Sequence, residues 1–283
     1  MMQIFQNISK LTEMLLVLQQ QSQKIGFVPT MGALHQGHLA LIKQAKAEND
    51  IVVCSIYVNP TQFNNPDDLA KYPRILDADA EMLRSVGCDI LFAPIDAEMY
   101  PEPAKIKFDF GFLETTMEGK FRPGHFNGVA LVVSKLFHIV MPHKAYFGQK
   151  DLQQYLVIKQ LTSDLSFPIE IVRCQIVREE NGLAMSSRNK RLSTEQIQIA
   201  SNIYKALQMA EKMLNTHSLE QIQEQVQIFF AQIEGIELEY FEIADAQTLE
   251  NIPNLQKHSK AKALCVAAFV GEVRLIDNLW VDA

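Results

Sequence analysis

Hydrophobic residues in the first two thirds of the chain form short runs that alternate with segments of helical periodicity. The runs predict β-strands at Ile25–Val28, Ile51–Val58, Asp89–Ala93, Ala145–Phe147 and Ile169–Val177. The segments between them predict helices at His38–Asn49, Asp77–Val86, Val129–Ile139 and Asp151–Leu161. Strands that alternate with helices of this length are typical of right-handed βαβ units, so the pattern predicts a parallel, Rossmann-like sheet of the α/β class.

The pattern changes in the last third of the chain. Ser193-x-x-Gln196 and Ser218-x-x-Gln221 match the capping box, and each precedes a helical stripe of apolar residues, the first running from Ile197 to Leu214. Three strands are then predicted, at Leu238–Ala244, Ala263–Val270 and Val273–Val281. Two residues, Gly-Glu, separate the last two strands, which fits a type II′ hairpin. Helices followed by antiparallel strands predict a separate, smaller α+β domain.

Length and composition extend this picture. A chain of 283 residues favours two unequal domains, and we predict them at 1–178 and 179–283, with the boundary near Glu179–Arg191. The net charge of -7 argues against a general nucleic-acid binder or a protein that binds anionic membranes. An anionic ligand must therefore be held by local groups.

The chain shows no targeting or membrane signal. The opening segment Met1–Gln21 has leucines at helical spacing but lacks the apolar core and cleavage site of a signal peptide, and no stretch approaches the length of a membrane span. Four cysteines are far apart and form no C-x-x-C pair, which predicts reduced thiols. We therefore expect a cytoplasmic protein that does not bind membranes.

The segment PTMGALHQGH, from Pro29 to His38, lies between a predicted strand and a predicted helix. Free backbone N–H groups and the helix dipole at such a terminus favour an anion. Gly32 and Gly37 allow close approach of the backbone, and His35 and His38 offer N–H donors, so the segment predicts a polyphosphate site. The glycine spacing matches a P-loop, but the Lys and Ser/Thr of that motif are replaced, and G-x-G-x-x-G is absent from the chain. Capping or packing is the alternative role for the two histidines.

Three further segments carry polar groups suited to a ligand. Lys150 and Asp151 follow a predicted strand, where a lysine can contact phosphate and an aspartate can cap the helix or bind a ribose hydroxyl or cation. The loop Met185–Asn189 combines two hydroxyls with a guanidinium and suits a mobile phosphate clamp, with an interdomain linker as the alternative. Gln62 beside Phe63 suits a pocket that orients a small polar acid.

Five blocks together, PTMGALHQGH, VNPTQF, FRPGHFNGVA, YFGQKDLQQ and AMSSRN, resemble the pantothenate synthetase family, within the nucleotidyltransferase superfamily that carries the H-x-G-H signature. The resemblance implies a ligase that adenylates pantoate with ATP and transfers the pantoyl group to β-alanine, releasing AMP and pyrophosphate. It also implies an ATP- and pantoate-binding domain at 1–178, a lid domain at 179–283, Mg²⁺ that arrives with ATP, and a homodimer. No protein ligand of the metal can be assigned.

The same resemblance implies roles for individual residues. The catalytic residues are His38, the proton donor, with His35 and Lys150. The residues that bind ATP are Met31, Gly32, Ala33, Leu34, His35, Gln36, Gly37, His38, Gly148, Gln149, Lys150, Asp151, Val177, Met185, Ser186, Ser187 and Arg188. Gln62 and Gln154 hold pantoate. Gln149 departs from the family pattern, because many members carry Glu there.

Two other functions remain open from the residues alone. Another nucleotidyltransferase would transfer AMP or CMP to a phosphate-bearing acceptor such as nicotinate mononucleotide or phosphopantetheine, but such an acceptor requires an extra basic pocket. A catalytically silent nucleotide sensor would retain the fold. Intact His38, Lys150 and Arg188 argue against the sensor.

Overall fold

The computed structural model describes residues 2–64 and 66–283. The chain packs into two compact units. The N-terminal unit comprises Met1–Gly148 and Gln154–Gln175, and the C-terminal unit comprises Gln149–Gln153 and Ile176–Ala283. The predicted assignment of ATP and pantoate binding to 1–178 and of a lid to 179–283 stays a prediction, and its positions 1 and 65 lie outside the described residues.

A parallel sheet forms the centre of the N-terminal unit. Its strands are β1 (Gln3–Phe5), β2 (Ile25–Thr30), β3 (Ile51–Ile56), β4 (Ile90–Phe92), β5 (Lys144–Gly148) and β6 (Glu170–Cys174). They lie in the order β1-β4-β3-β2-β5-β6, and all neighbours are parallel, which confirms the predicted Rossmann-like fold. The edge strand β1 lies outside the predicted set because three residues show no periodicity. Strand β6 ends at Cys174, not at the predicted Val177, because Cys174 pairs with Gly148, where β5 ends.

Helices connect these strands. They are α1 (Ile8–Gln20), α2 (Gln36–Glu48), α3 (Pro66–Lys71), α4 (Leu76–Ser85), α5 (Asp96–Met99), α6 (Phe112–Thr115), α7 (Met117–Phe121), α8 (His125–Val140) and α9 (Leu152–Asp164). Helix α8 begins at His125, earlier than the predicted Val129. Gly128 lies inside this helix because a Cβ there would collide with the carbonyl oxygen of Thr61, so the glycine marks a close contact between backbones.

The C-terminal unit packs helices on an antiparallel sheet. Its elements are α10 (Thr194–Ala200), α11 (Asn202–Met213), α12 (Leu219–Ala231), β7 (Ile236–Asp245), β8 (Lys262–Val270) and β9 (Val273–Val281). Both predicted capping boxes form, at Ser193 and Ser218. The stripe predicted from Ile197 to Leu214 is divided at Ser201, whose hydroxyl donates to the carbonyl of Gln198 at 2.7 Å and so competes with the helical pattern.

The turn between β8 and β9 has the predicted geometry at its first residue. Gly271 has φ of 57°, whereas Glu272 does not have positive φ. A type II′ turn requires positive φ only at the first central position, whereas type I′ requires it at both. The hairpin therefore fits type II′.

The four cysteines are buried and form no disulfide: Cys54, Cys88, Cys174 and Cys265. Burial raises the pKa of Cys54 well above its usual value, and it raises the pKa of Cys88 and of Cys174 to about 12. These three thiols are therefore protonated at neutral pH. Within the described part of the chain, no helix has both the length and the apolar character needed to cross a membrane.

Candidate active site

Strands β2 and β5 are neighbours at the point where the order of the sheet reverses. In open α/β sheets, ligands bind outside the carboxyl ends of the strands at such a switch point. Strand β2 ends at Thr30 and β5 ends at Gly148. The segment 31–38, hereafter the histidine turn, therefore begins at this edge of the sheet. The half-buried Gly148 lies at the same edge.

The histidine turn is closed by its own imidazoles. His35 caps helix α2, and its Nδ1 accepts the backbone N–H of Gly37 at 3.1 Å. The backbone N–H of His35 donates to Nδ1 of His38 at 3.3 Å. This reciprocal arrangement is a capping box in which two imidazoles replace the usual hydroxyl and carboxamide or carboxylate. The helix then begins at the exposed Gln36.

These hydrogen bonds fix where each neutral ring carries its proton. A ring nitrogen that accepts an N–H is unprotonated, so both neutral imidazoles carry hydrogen on Nε2. In the neutral form, Nε2 is therefore the donor atom of each ring, and both rings lie at the end of α2 where the helix dipole favours anions. The sequence analysis expected free backbone N–H groups at this helix terminus. That expectation is wrong for His35 and Gly37, because their amides donate to the rings.

Residues distant in sequence support the histidine turn. Gly32 has φ of 66°, and a Cβ there would lie 2.6 Å from Oδ2 of Asp79. Oδ1 of Asp79, which is buried in α4, accepts the backbone N–H of Leu34 at 2.7 Å. The hydroxyl of Tyr72 donates to the carbonyl of Gly32 at 2.6 Å. Leu34 and Ala33 are buried, so their side chains belong to the core of the unit.

Gln62 is buried in a short 3₁₀ turn, and both ends of its amide are held. Its Oε1 accepts from Nδ2 of Asn59 at 3.0 Å, and its Nε2 donates to Sδ of Met31 at 3.2 Å. Asn59 in turn accepts from the hydroxyl of Tyr100 at 3.0 Å, and Nδ1 of His125 lies 2.9 Å from the carbonyl oxygen of Gln62. The structure thus brings together two predicted site residues, Gln62 and Met31, through one of the two amide hydrogens of Gln62.

Gln154, the second predicted pantoate residue, is half-buried in α9. Like Gln62, it belongs to the N-terminal unit. Its predicted contact with pantoate stays a prediction.

The remaining predicted ATP residues belong to the C-terminal unit. Gln149–Asp151 form a 3₁₀ turn, hereafter the lysine turn. Nζ of Lys150 lies 3.8 Å from Oδ1 of Asp151, and the side chain of Lys150 is 16% exposed. Gln149 is buried, and its Nε2 donates to Oδ1 of Asn278 at 3.2 Å. The unusual glutamine therefore contacts β9.

The segment predicted as a phosphate clamp has regular local structure. The carbonyl of Val177 accepts the N–H of Met185 at 3.0 Å, which closes a short hairpin. The hydroxyl of Ser186 then accepts the N–H of Arg188 at 3.2 Å and caps the 3₁₀ helix Ser187–Arg191. Ser187 and Arg188 are half-buried, so this segment is a defined turn of the C-terminal unit.

Residues outside the predicted set hold these segments, and they include Asp79, Tyr72 and Asn278. Neither Asp79 nor Tyr72 carries a sequence signal. An aspartate in the first turn of a helix, such as Asp79, is ordinarily an exposed partner of the helix dipole. Asn278 carries a weak one, since Asp-Asn interrupts the otherwise apolar run LIDNLWV. A polar pair in a strand that is otherwise apolar indicates a buried hydrogen-bonding function.

The sheet and the histidine turn define an α/β protein of Rossmann-like fold with the features of an anion site at its switch point. Residues 3–280 match the family described as pantoate-beta-alanine ligase, and the chain belongs to that family. A pantothenate synthetase of Cytophaga hutchinsonii is 53% identical over 96% of this chain and 98% of its own length. The predicted resemblance and the ligase class are therefore confirmed.

Solved structures agree with this membership. Pantothenate synthetase from Thermus thermophilus is 40% identical, with a TM-score of 0.91 over 98% of this chain and 99% of that one. Pantoate-beta-alanine ligase from Francisella tularensis, in complex with beta-gamma ATP and beta-alanine, is 39% identical, with a TM-score of 0.81 over 99% of this chain and 97% of that one. The likeness therefore extends through both units.

Proposed function

We propose that this ligase joins pantoate to β-alanine through a pantoyl-adenylate intermediate, with ATP as the activating substrate. The Francisella complex with beta-gamma ATP and beta-alanine supports two of the three substrates. Within this chain, the observation that carries the proposal is the pair of imidazoles whose Nδ1 atoms are occupied, so that Nε2 is the donor at the helix terminus.

In the first step, a carboxylate oxygen of pantoate attacks the α-phosphorus of ATP, the bond from that phosphorus to the β-bridging oxygen breaks, and pyrophosphate leaves. In the second, the amine of β-alanine attacks the acyl carbon, the bond to AMP breaks, and the amine loses a proton. Such a route requires alignment and charge stabilisation but no covalent nucleophile. His38, the proposed proton donor, acts with His35 and Lys150 on the phosphate oxygens.

The other roles follow the predicted set. Ser186, Ser187 and Arg188 bind the triphosphate with Lys150, Gly148 and Asp151 bind the ribose, and the backbone at Val177 binds adenine. Gln62 and Gln154 bind pantoate, and the fixed amide of Gln62 supports this assignment because it presents one donor in a defined direction.

We further propose that Mg²⁺ enters as the ATP complex. Among residues 2–64 and 66–283, no group of three His, Cys, Asp or Glu side chains could hold a metal ion, so no step is assigned to a protein-bound metal. We also propose a cytoplasmic homodimer. Sedimentation that shows only a species of 32.1 kDa at working concentration would contradict the dimer.

Exchange of labelled pyrophosphate into ATP tests the adenylate. Purified protein is incubated with ATP, Mg²⁺ and labelled pyrophosphate, with pantoate present or absent and without β-alanine. We expect exchange that requires pantoate, because only adenylation reverses under these conditions. Absence of pantoate-dependent exchange rejects the proposal. Nicotinate mononucleotide and phosphopantetheine serve as matched acceptors, and exchange with either one in place of pantoate would establish the alternative nucleotidyltransferase function.

A further inference from the structure

Asn278 in β9 binds the lysine turn at three points. Its Nδ2 donates to the carbonyl oxygens of Gln149 and Lys150 at 2.9 and 3.0 Å, and its Oδ1 accepts from Nε2 of Gln149 at 3.2 Å. Asn278 is only 3% exposed. A buried amide with both its donor and acceptor atoms engaged in this way has one orientation, so it fixes the backbone of the turn.

Asp277 fixes the backbone of Asn278 itself. Oδ1 of Asp277 accepts the N–H of Asn278 at 2.8 Å. The same carboxylate binds the guanidinium of Arg178 in a bidentate pair, with N–O distances of 2.6 and 3.0 Å. Arg178 also donates to the carbonyl of Asn278 at 3.3 Å. Bidentate pairs of this kind restrict geometry as well as adding attraction.

Arg178 also contacts the hairpin that leads into the predicted phosphate clamp, Met185–Asn189. It forms an antiparallel bridge with Ala184, immediately before Met185, and its guanidinium donates to the carbonyl of Gly182 at 3.1 Å. The guanidinium also lies over the ring of Tyr204, with 3.8 Å from its carbon to the ring centroid. Residues 277–278 thus hold both the lysine turn and the hairpin that leads to Ser186–Arg188.

We propose that Asn278 is a positioning residue for Lys150, and that Asp277–Asn278 is the common anchor of the two segments of the C-terminal unit that bind the triphosphate. This inference rests on the proposed function of Lys150. A lysine side chain is long and flexible, so the backbone carbonyls on either side of its Cα are where the fold can set the origin of the ammonium group. Asn278 holds the carbonyl of Lys150 and the carbonyl that precedes it.

The test is Asn278→Ala, with steady-state kinetics and the melting temperature measured together. We expect kcat/KM for ATP to fall by about 10²-fold, as for a misplacement of about 1 Å in a catalytic group, while KM for β-alanine stays unchanged. Asn278→Asp, which keeps the size and the acceptor but loses both donors, should show the same loss. A drop in stability with unchanged kinetics in both Asn278 variants would overturn the proposal.

Asp245→Ala is the matched control. Asp245 is another buried residue of this sheet, and its carboxylate accepts the backbone N–H groups of Gln247 and Thr248 in its own turn. It also lies 3.4 Å from Nε2 of His258, so its contacts are with residues outside both ATP segments. Asp245→Ala should therefore lower the melting temperature and leave kcat/KM for ATP unchanged.

A double-mutant cycle separates positioning from general stability. In a Lys150→Ala background, Asn278→Ala should change kcat/KM for ATP by less than about threefold, because the group it positions is gone. Full additivity of the two losses would reject the inference. Wild-type protein without pantoate-dependent exchange would reject the proposed function instead, and ATP affinity by calorimetry then tests Asn278 independently: equal affinity in wild type and Asn278→Ala overturns it.

Discussion

The histidine turn and the lysine turn each follow a strand of the same parallel sheet, but the histidine turn is closed by its own side chains, with support from Asp79 and Tyr72, whereas the lysine turn is held by a distant strand. The hydrogen bonds that close the histidine turn join residues two or three positions apart. Those that hold the lysine turn join residues 128 or 129 positions apart. A ligand-binding turn can therefore be built from local sequence or from a distant strand. The distant arrangement makes the geometry of Lys150 depend on the folding of the whole C-terminal unit.

The largest expected effect comes from disrupting the common anchor, Asp277–Asn278. Arg178→Ala leaves the carboxylate of Asp277 buried without its partner, which should lower the free energy of unfolding by about 3–5 kcal/mol, measured by urea denaturation at pH 7. Removing both groups, in Arg178→Ala with Asp277→Ala, should restore part of this loss. A deficit below about 1 kcal/mol, as in an exposed pair, would show that the anchor is not essential.

The same variant has a pH signature. Burial raises the pKa of Asp277, and Arg178 opposes that rise. Without Arg178 the folded pKa lies further above the unfolded value of about 3.9, so the folded state binds the proton more tightly. The deficit should thus be greatest at neutral pH and should diminish as the pH falls through the folded pKa. A deficit that is constant with pH would contradict this account.

The next effect tests the local turn. His38→Ala should lower the pantoate-dependent exchange rate by about 10²–10³-fold, comparable to removal of one transition-state donor. The stability loss should be only about 1 kcal/mol, because one cap interaction is lost. His217→Ala, between α11 and α12 in the C-terminal unit, is the control and should leave exchange unchanged. A loss of tenfold or less in His38→Ala would remove His38 from its proposed role.

A smaller effect measures the support of the histidine turn. Gly32→Ala combines positive φ with a contact of 2.6 Å to Asp79, and we expect a loss of about 1–3 kcal/mol in stability by urea denaturation. Gly87→Ala is the matched control, since Gly87 has φ of 77° but nothing within 4 Å of an added Cβ. The excess loss at Gly32 reports the Asp79 contact. Equal losses at both glycines would show that this contact yields without strain.

The smallest expected effect concerns the ion pair of Lys144 and Glu48, which contacts neither turn and gives the stability change expected away from them. The hydrogen bond from Lys144 lowers the pKa of Glu48 below its usual value. A depressed folded pKa gives stability that is present above the unfolded value of about 4.3 and is lost as the pH falls through the folded pKa. Glu48→Gln should therefore be slightly less stable than wild type at pH 7, and the difference should vanish in acid. A stability difference between Glu48→Gln and wild type that persists at low pH would show that packing, not charge, is its cause.

Sequence patterns were sufficient to predict the helices and strands whose signal lies in adjacent residues. The strands β2 to β6 and the two capping boxes at Ser193 and Ser218 follow from adjacent residues, and the structure confirms them. The edge strand β1 is too short to show a period, and the break at Ser201 depends on one hydroxyl that bonds to its own helix. Strand order in the sheet depends on pairing between segments that are distant in the chain, which no single segment encodes.

The same division applies to the candidate site. The histidine turn could be predicted as an anion site because its glycines, histidines and helix start are contiguous. The hydrogen bonds from the amides of His35 and Gly37 to the two rings could not be predicted, because they depend on which ring nitrogen each amide meets. Asn278 could not be connected with Lys150 from the sequence, since the two residues lie 128 positions apart and their contact depends on the antiparallel sheet that contains Asn278.

The burial of every cysteine makes the chain suited to site-specific labelling. Alkylating reagents attack thiolates, and Cys54, Cys88 and Cys174 are sequestered and protonated in the native fold, while Cys265 is buried in β8. Maleimide or iodoacetamide should therefore modify these thiols only in molecules that have opened. A fluorophore can accordingly be attached at one introduced surface cysteine in either unit while the native cysteines stay in place.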